Sequence, residues 1–233
     1  MPLGYGDIAE IYLHSLKAAR VRCDRSLIPA PGRYLLADAA GSHMPLAVAL
    51  FCSDTQSDGF VAAPPIPAAW IPGTLLRLRG PLGHGFNLPN SARQIALVAF
   101  EAHGRPSHDS TARLAILLKP AIEQNASIVL VCDQPPEDLP LQIEVQPKSV
   151  LMDVLGWADF VAMDIVREDL PELRKRLDQA SRNHWNKDAQ VLIHSPMPCG
   201  GLAECGVCAV EYRGGQKLAC KEGPVFDLKE FLD

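Results

Sequence analysis

The first 90 residues contain short apolar or alternating runs that are separated by proline and glycine turns. Alternation of apolar and polar positions is typical of half-buried strands, and closely spaced turns are typical of antiparallel barrels or sandwiches. The runs are EIYLHSL, ARVRC, GRYLLAD, LAVALFC and TLLRLRG. Several prolines fall near residues 61–72, so any strand in that segment is expected to be an edge strand or absent.

Near residue 93 the pattern changes to an alternation of strands and helices, which predicts a parallel sheet with crossover helices. The predicted strands are QIALVAF, SIVLVCD, LQIEVQP, ADFVAMDIV and AQVLIHS. One helix is expected to begin at residues 110–111, and Pro120 should kink or shorten it because proline lacks a backbone N–H. A second helix is expected to begin at a capping box formed by Asp169 and Glu172 and to end near Asn183.

Length and charge narrow the classes of protein. The 233 residues suffice for one large or two modest domains with a small appendage. The net charge of -5 and the dispersed basic residues argue against nucleic-acid binding. The N-terminus lacks a basic region followed by an apolar block, and no run reaches the roughly 18 apolar residues of a spanning helix. We therefore expect a cytoplasmic protein without a membrane span.

The cysteines carry the strongest chemical signal. Of the seven, four lie near the C-terminus in the spacing C-x5-C-x2-C-x11-C, and glycines between them allow the backbone to wrap closely around a metal. These four are Cys199, Cys205, Cys208 and Cys220. An odd number of cysteines, clustered in this way, fits a reducing compartment better than a disulfide framework.

Four thiolates suit either a structural zinc ion or an iron–sulfur cluster. A single C-x2-C pair with one cysteine further upstream and one far downstream favours a [2Fe-2S] cluster, and zinc stays an alternative. Four thiolates with a bound cluster would carry a net negative charge that needs compensation. The basic residues nearby in sequence either stabilise the reduced form of the cluster or line a solvated hairpin; they are Arg213, Lys217 and Lys221.

Three motifs resemble one family. The segments GRYLLAD, GPLGHGF at residues 80–86 and the tail ending CKEGPVF are similar to the electron-transfer subunit of two-subunit, NAD-linked dihydroorotate dehydrogenases, within the ferredoxin reductase superfamily. The resemblance implies a β barrel at residues 1–92, an α/β nucleotide-binding-like domain at 93–194 and a [2Fe-2S] cluster-binding subdomain at 195–233. It also implies that the four tail cysteines are the cluster ligands. The implied partner is a flavin-containing dihydroorotate dehydrogenase catalytic subunit of pyrimidine biosynthesis.

The sequence departs from this family at its other cofactor motifs. Where the family has an arginine-containing flavin segment, residues 43–48 read HMPLAV, and residues 60–70 lack its second, glycine-containing flavin turn. The family's glycine-rich nicotinamide loop corresponds to residues 100–106, which read FEAHGRP, and its C-G-P-like motif is replaced at residues 162–165. We therefore do not expect NAD to bind, and FAD stays an open alternative. An external electron carrier would then meet the cluster.

The tail also has five residues between its first two cysteines where the family usually has four, which makes Cys199 the least secure of the predicted ligands. Within the other motifs, Tyr34 is expected either in the barrel core or against a flavin, and His84 either faces a flavin or water. A polar loop at residues 103–109 is expected to lie on the surface.

Three functions follow from these patterns. The leading hypothesis is an electron-transfer subunit rather than an independent catalyst. A complete FAD- and NAD(P)H-dependent reductase with divergent cofactor sites is the first alternative. A non-redox interaction protein with a structural zinc ion is the second.

Overall fold

A closed barrel is followed along the chain by a six-stranded sheet and a small β hairpin. The computed structural model describes residues 2–12, 18–41, 46–101, 108–179 and 188–232. This order confirms the predicted fold class of a barrel, a parallel-sheet domain and a C-terminal region. Within the described residues no helix is both long and apolar enough to span a bilayer.

The barrel has six antiparallel strands in the order β1-β2-β5-β4-β3-β6, and β6 pairs with β1 to close it. The strands are β1 Leu3–Tyr12, β2 Ala18–Cys23, β3 Tyr34–Ala39, β4 Val48–Gln56, β5 Gly59–Ala62 and β6 Leu75–Leu82. No strand forms at residues 63–72, as the prolines predicted. At residues 61–62, however, the end of β5 pairs with both β2 and β4. The expectation of an edge strand there was wrong, because closure of the barrel removes its edges.

The second sheet has the order β14-β11-β10-β7-β8-β9, and all its strands except β14 run parallel. The strands are β7 Gln94–Phe100, β8 Ser127–Val131, β9 Ile143–Gln146, β10 Phe160–Val166, β11 Asp188–His194 and β14 Val225–Asp227. β12 Ala209–Tyr212 and β13 Gly215–Leu218 form the hairpin. β14 is antiparallel to β11, so the end of the C-terminal region completes the sheet. The domain boundaries at residues 92 and 194 stay a prediction.

The described part of the chain contains five α-helices: α1 His108–Leu114, α2 Leu118–Glu123, α3 Leu151–Trp157, α4 Leu170–Gln179 and α5 Ala219–Glu222. A 3-10 turn separates α1 from α2, and Pro120 lies in the first turn of α2, where a missing N–H is tolerated. The predicted helix was therefore shortened as expected. It begins at His108, so His108 and Asp109 lie on a helix rather than in the expected loop, whereas His103 lies outside the described residues.

Helix α4 begins directly after Asp169, close to the predicted capping box, and its expected end at Asn183 lies outside the described residues. Two hydrophobic cores lie inside the molecule, and each includes residues of both the barrel and the parallel sheet. In one of them, Tyr34 and Phe51 of the barrel join Val98 and Phe100 of the sheet. The two parts therefore share a continuous interior.

Candidate metal centre

The loop after β11 carries three of the tail cysteines. Gly200, Gly201 and Gly206 have φ angles of 63°, 72° and 70°, a left-handed conformation that glycine adopts without a Cβ penalty. Ala203 adopts the same conformation with φ 62°, which is uncommon for a residue with a side chain. These turns wrap the backbone closely, as the glycine pattern predicted.

The structure brings the four cysteines together as two pairs. The thiols of Cys199 and Cys205 interact, and so do those of Cys208 and Cys220. Electrostatic interaction between Cys199 and Cys220 connects the pairs. Cys208 and Cys220 are 1% and 4% exposed, whereas Cys205 is on the surface and Cys199 is half-buried. The site thus has a buried side and a side that faces solvent.

Backbone N–H groups point at this site. The N–H of Glu204, with smaller contributions from the Cys205 thiol and the N–H groups of Cys205 and Leu202, lowers the pKa of Cys199 to about 6. Burial and the neighbouring Cys208 thiol raise the pKa of Cys220 to about 12, although the N–H of Ala203 acts in the opposite direction. Donors of this kind stabilise a thiolate ligand without a nearby cation.

Several contacts hold the tail against the barrel. The Tyr34 hydroxyl donates to the carbonyl oxygen of Cys220 across 2.9 Å. The His84 N–H donates to the carbonyl oxygen of Gly223 across 2.6 Å, and Nδ1 of His84 lies 2.8 Å from the carbonyl oxygen of Glu222. The motif GPLGHGF therefore packs on the tail through its backbone. His84 is exposed to solvent, one of its two expected surroundings, while its Nδ1 contacts the tail backbone. Tyr34 is fully buried in the core, one of its two expected positions.

Arg79 on β6 is a basic residue close to Gly200 of the loop, and sequence reasoning missed it. A Cβ placed on Gly200 would lie 2.9 Å from Nη2 of Arg79. Lys217, one of the three predicted charge partners, instead forms an ion pair with Glu230. Arg167 and Arg174 donate to the carbonyl oxygens of Val207 and Glu211. No spacing rule links Arg79 to the tail, because the two are distant in sequence.

The three remaining cysteines do not join this set. Burial raises the pKa of Cys23 and Cys132 to about 11 and that of Cys52 to about 12, as for inert thiols. In the described part of the chain, no three His, Cys, Asp or Glu side chains are arranged to hold a single metal ion.

Comparison with known families identifies this region. The model of the iron–sulfur cluster binding domain of dihydroorotate dehydrogenase B matches residues 194–232, which contain all four tail cysteines. Residues 194–232 are therefore similar to this domain, and they are called the iron–sulfur domain below. The iron–sulfur domain includes the loop, the hairpin, α5 and β14. A search of curated proteins by sequence gave no match.

Solved structures resemble the whole architecture. An NADH-dependent reduced ferredoxin-NADP oxidoreductase is similar with a TM-score of 0.69 and 16% identity, over 97% of this chain and 88% of that chain. The ferredoxin reductase of carbazole 1,9a-dioxygenase aligns with a TM-score of 0.56 and 15% identity, over 83% and 66%. A ferredoxin NADP+ reductase from Neisseria gonorrhoeae aligns with a TM-score of 0.52 and 11% identity, over 83% and 98%. The fold is that of the ferredoxin reductases, and with the iron–sulfur domain it supports an electron-transfer role.

A groove of about 640 Å³ lies beside the iron–sulfur domain. Strands β1, β3 and β6 form one wall, and Pro198, Cys199 and Gly200 form the other. Leu3 and Tyr5 at its rim are 77% and 75% exposed. The loop after β11, residues 195–208, is called the cluster loop below, and its residues Leu202 and Val207 are also exposed. Exposed apolar side chains thus lie at the rim of the groove beside Cys199 and on the loop that carries the cysteines.

Proposed function

We propose that this protein passes single electrons through a [2Fe-2S] cluster held by Cys199, Cys205, Cys208 and Cys220. The observation that carries the proposal is the convergence of these four thiols within a segment that matches an iron–sulfur domain. When bound, such a cluster supplies reversible one-electron chemistry. The chain itself is then an electron-transfer subunit rather than an independent catalyst.

The pairing of the thiols supports two irons rather than one zinc ion. Each pair, Cys199 with Cys205 and Cys208 with Cys220, offers two thiolates to one iron, whereas zinc needs four ligands around one point. The extra residue between Cys199 and Cys205 is taken up by left-handed turns at Gly200, Gly201 and Ala203. Cys199 therefore belongs to the ligand set despite its unusual spacing.

The surrounding residues set the electrostatics of the site. The N–H groups of Leu202, Glu204 and Cys205 donate toward Cys199, and Arg79 adds a positive charge beside Gly200. Hydrogen bonds to sulfur and nearby positive charge both stabilise the more negative, reduced form. Burial of Cys208 and Cys220 excludes water from the inner side, which leaves the side near Cys205 for electron exchange.

The exposed apolar residues support docking of a redox partner at this side. Leu3 and Tyr5 line the groove beside Cys199, and Leu202 and Val207 are exposed on the loop that carries three of the cysteines. Exposed apolar surface of this kind marks protein interaction sites. The partner we propose is a flavin-containing dihydroorotate dehydrogenase catalytic subunit, which places the complex in pyrimidine biosynthesis in the cytoplasm. Reaction with dihydroorotate belongs to that subunit, and an external carrier exchanges electrons with the cluster.

Anaerobic purification tests the cluster. We expect about two irons and two acid-labile sulfides per chain, visible absorption that bleaches with dithionite, and an electron paramagnetic resonance signal of a reduced two-iron centre. One zinc per chain with no visible chromophore would instead establish the structural-metal alternative.

A second experiment tests the partner. The protein is co-expressed with the dihydroorotate dehydrogenase catalytic subunit of the same organism, and dihydroorotate is added anaerobically. We expect cluster absorption to bleach only when both subunits are present, and not with the Cys208→Ala variant. Loss of the complex on Tyr5→Glu, with the exposed residue Leu141 changed to Glu as control, would locate the docking face. An intact cluster that dihydroorotate never reduces would refute this partner while leaving the cluster assignment in place.

A further inference from the structure

The parallel sheet has one position at which its fold predicts a ligand site. Strands β7, β8 and β9 proceed in one direction across the sheet, and β10 and β11 proceed in the other, so the strand order reverses between β7 and β10. In open α/β sheets, ligands bind outside the carboxyl ends of the strands at such a reversal. The reductase from Neisseria gonorrhoeae, which has the same fold, contains FAD and NADP.

In this chain a buried ion pair occupies that position. Arg113 extends from α1 to Asp164 near the carboxyl end of β10. Their contact is bidentate, with Nε to Oδ2 at 2.8 Å and Nη2 to Oδ1 at 2.7 Å. The side chains of Arg113 and Asp164 are 2% and 0% exposed, so the pair is closed off from solvent.

Arg113 has little capacity left for a phosphate group. Its Nη2 also donates to Oγ of Ser110 across 3.2 Å, and its Nη1 donates to the carbonyl oxygen of Pro64 across 3.3 Å. Internal acceptors thus use four of the roughly five guanidinium N–H donors. Since Pro64 belongs to the barrel side and Asp164 to the sheet, one side chain connects the two parts of the molecule.

The neighbouring residues oppose an anionic ligand further. Glu101 directly follows β7, and Asp109 lies in the first turn of α1, so carboxylates stand on both sides of the β7–α1 connection. Both interact electrostatically with Arg113, and Glu101 Oε2 is buried with no hydrogen-bond partner among the residues that the structure describes. A dinucleotide site instead needs N–H donors and positive charge for its phosphates.

The barrel side is filled in the same way. Phe51 of β4 is 3% exposed, and its ring contacts the rings of Tyr34 and His194, with centroids 5.9 Å apart in both cases. Described residues of the barrel and the sheet therefore pack directly on each other around Phe51.

We propose that the Arg113–Asp164 pair is an internal occupant of the dinucleotide crevice, which locks the barrel onto the sheet and excludes FAD and nicotinamide dinucleotides from it. The residues at the crevice do not fit either cofactor. This inference is independent of the cluster, since the four cysteines lie in another part of the chain, and either proposal can fail alone.

Ligand titration with hydrogen exchange tests the closed crevice. The purified, cluster-containing protein is titrated with FAD, NADH and NADPH by calorimetry, and exchange is followed in residues 94–101, 108–117 and 160–166. We expect no saturable binding up to about 1 mM and no protection of these segments. Protection of these segments with a Kd below about 100 µM would overturn the proposal. If a ligand protects from exchange only residues that line the groove beside the iron–sulfur domain, the crevice itself is closed and the proposal is supported.

Variants test the lock. Arg113→Met leaves Asp164 buried without its partner, and the expected fall in Tm is about 10 °C, with faster exchange at residues 60–64 and 160–166. The double variant with Asp164→Leu also removes the stranded carboxylate and should recover most of that loss. Equal stability of Arg113→Met and the unchanged protein would contradict a lock. The matched control is Arg77→Met, because Arg77 pairs with Asp38 on the surface.

Discussion

The hydroxyl of Tyr34, at the start of the third barrel strand, donates a hydrogen bond of 2.9 Å to the backbone carbonyl oxygen of Cys220. The two residues are 186 positions apart, and both are buried. Burial and the nearby Cys220 thiol raise the pKa of Tyr34, so the phenol stays protonated and keeps its donor. The barrel thereby fixes the position of Cys220, the one of the four tail cysteines that does not lie on the loop after β11.

Replacing Tyr34 with Phe should weaken this connection. The ring is kept, but the buried carbonyl oxygen of Cys220 loses its side-chain donor, which costs about 1–2 kcal/mol in the free energy of unfolding. Chemical denaturation of the anaerobically purified protein measures this. Tyr12→Phe is the control, because the hydroxyl of Tyr12 contacts exposed Glu10. Equal losses for the two variants would show that the Tyr34 hydroxyl has no special role.

Cysteine replacements should separate ligands from bystanders. Cys199→Ala, Cys205→Ala and Cys208→Ala are each expected to lose most of the iron, acid-labile sulfide and visible absorption, because each removes one of four ligands. Cys132→Ala is expected to keep them, since Cys132 is buried beyond β8. Retention of full iron content by Cys199→Ala would exclude Cys199 from the ligand set.

Arg79 should tune the reduction potential. Its guanidinium lies beside Gly200, where positive charge favours the reduced, more negative cluster. We expect Arg79→Gln to lower the midpoint potential by about 30–60 mV, as for the loss of one partly screened charge. Arg77→Gln is the matched control, because Arg77 lies on the same strand but pairs with Asp38. A redox titration followed by visible absorption measures both, and equal shifts would assign the effect to net charge alone.

The glycine of the barrel–tail junction should not tolerate a side chain. Gly83 has φ 73°, and a Cβ there would lie 2.6 Å from both the carbonyl oxygen of Gly223 and Cδ of Pro224. Gly73 has φ 88° but no atom within 4 Å of such a Cβ. Gly73→Ala should therefore cost about 1 kcal/mol from backbone conformation. Gly83→Ala should cost at least about 2 kcal/mol more, since backbone atoms must move. Thermal unfolding of both variants provides the comparison, and similar values would mean that the junction is loose.

Much of this fold is visible in the sequence, because its strands are defined by local patterns. Runs such as QIALVAF and SIVLVCD became β7 and β8 since a continuous apolar run suits a strand covered on both faces. The loop that carries the cysteines could be predicted equally well from the sequence, because ligand spacing and glycine turns are local features.

Contacts between distant segments could not be predicted in this way. The strand β14 has only three residues, and a pattern this short does not predict that β14 completes the sheet. Likewise, nothing near Arg79 indicates a cysteine loop more than a hundred residues later, and nothing near Arg113 indicates Asp164. His84 is exposed to solvent, as one of its two expected surroundings predicted, but its contact with the tail depends on how the barrel packs.

Glu101 should make stability depend on pH. Burial, reinforced by Asp109 and Asp164 and opposed by Lys148 and Arg113, raises its pKa to about 7 from 4.5. Because the folded-state pKa lies above the unfolded one, the protonated carboxyl favours folding below about pH 4.5. That contribution is lost as pH rises through about 7, up to about 3 kcal/mol.

Glu101→Gln keeps the side chain neutral, so it should raise the free energy of unfolding at pH 8.5 and change it little at pH 5. Glu123→Gln, at an exposed position, is the control. Denaturant unfolding at several pH values measures the difference between the variants. An equal effect of Glu101→Gln at both pH values would mean that the Glu101 carboxyl is already ionised at pH 5, and that water reaches it despite its 6% exposure.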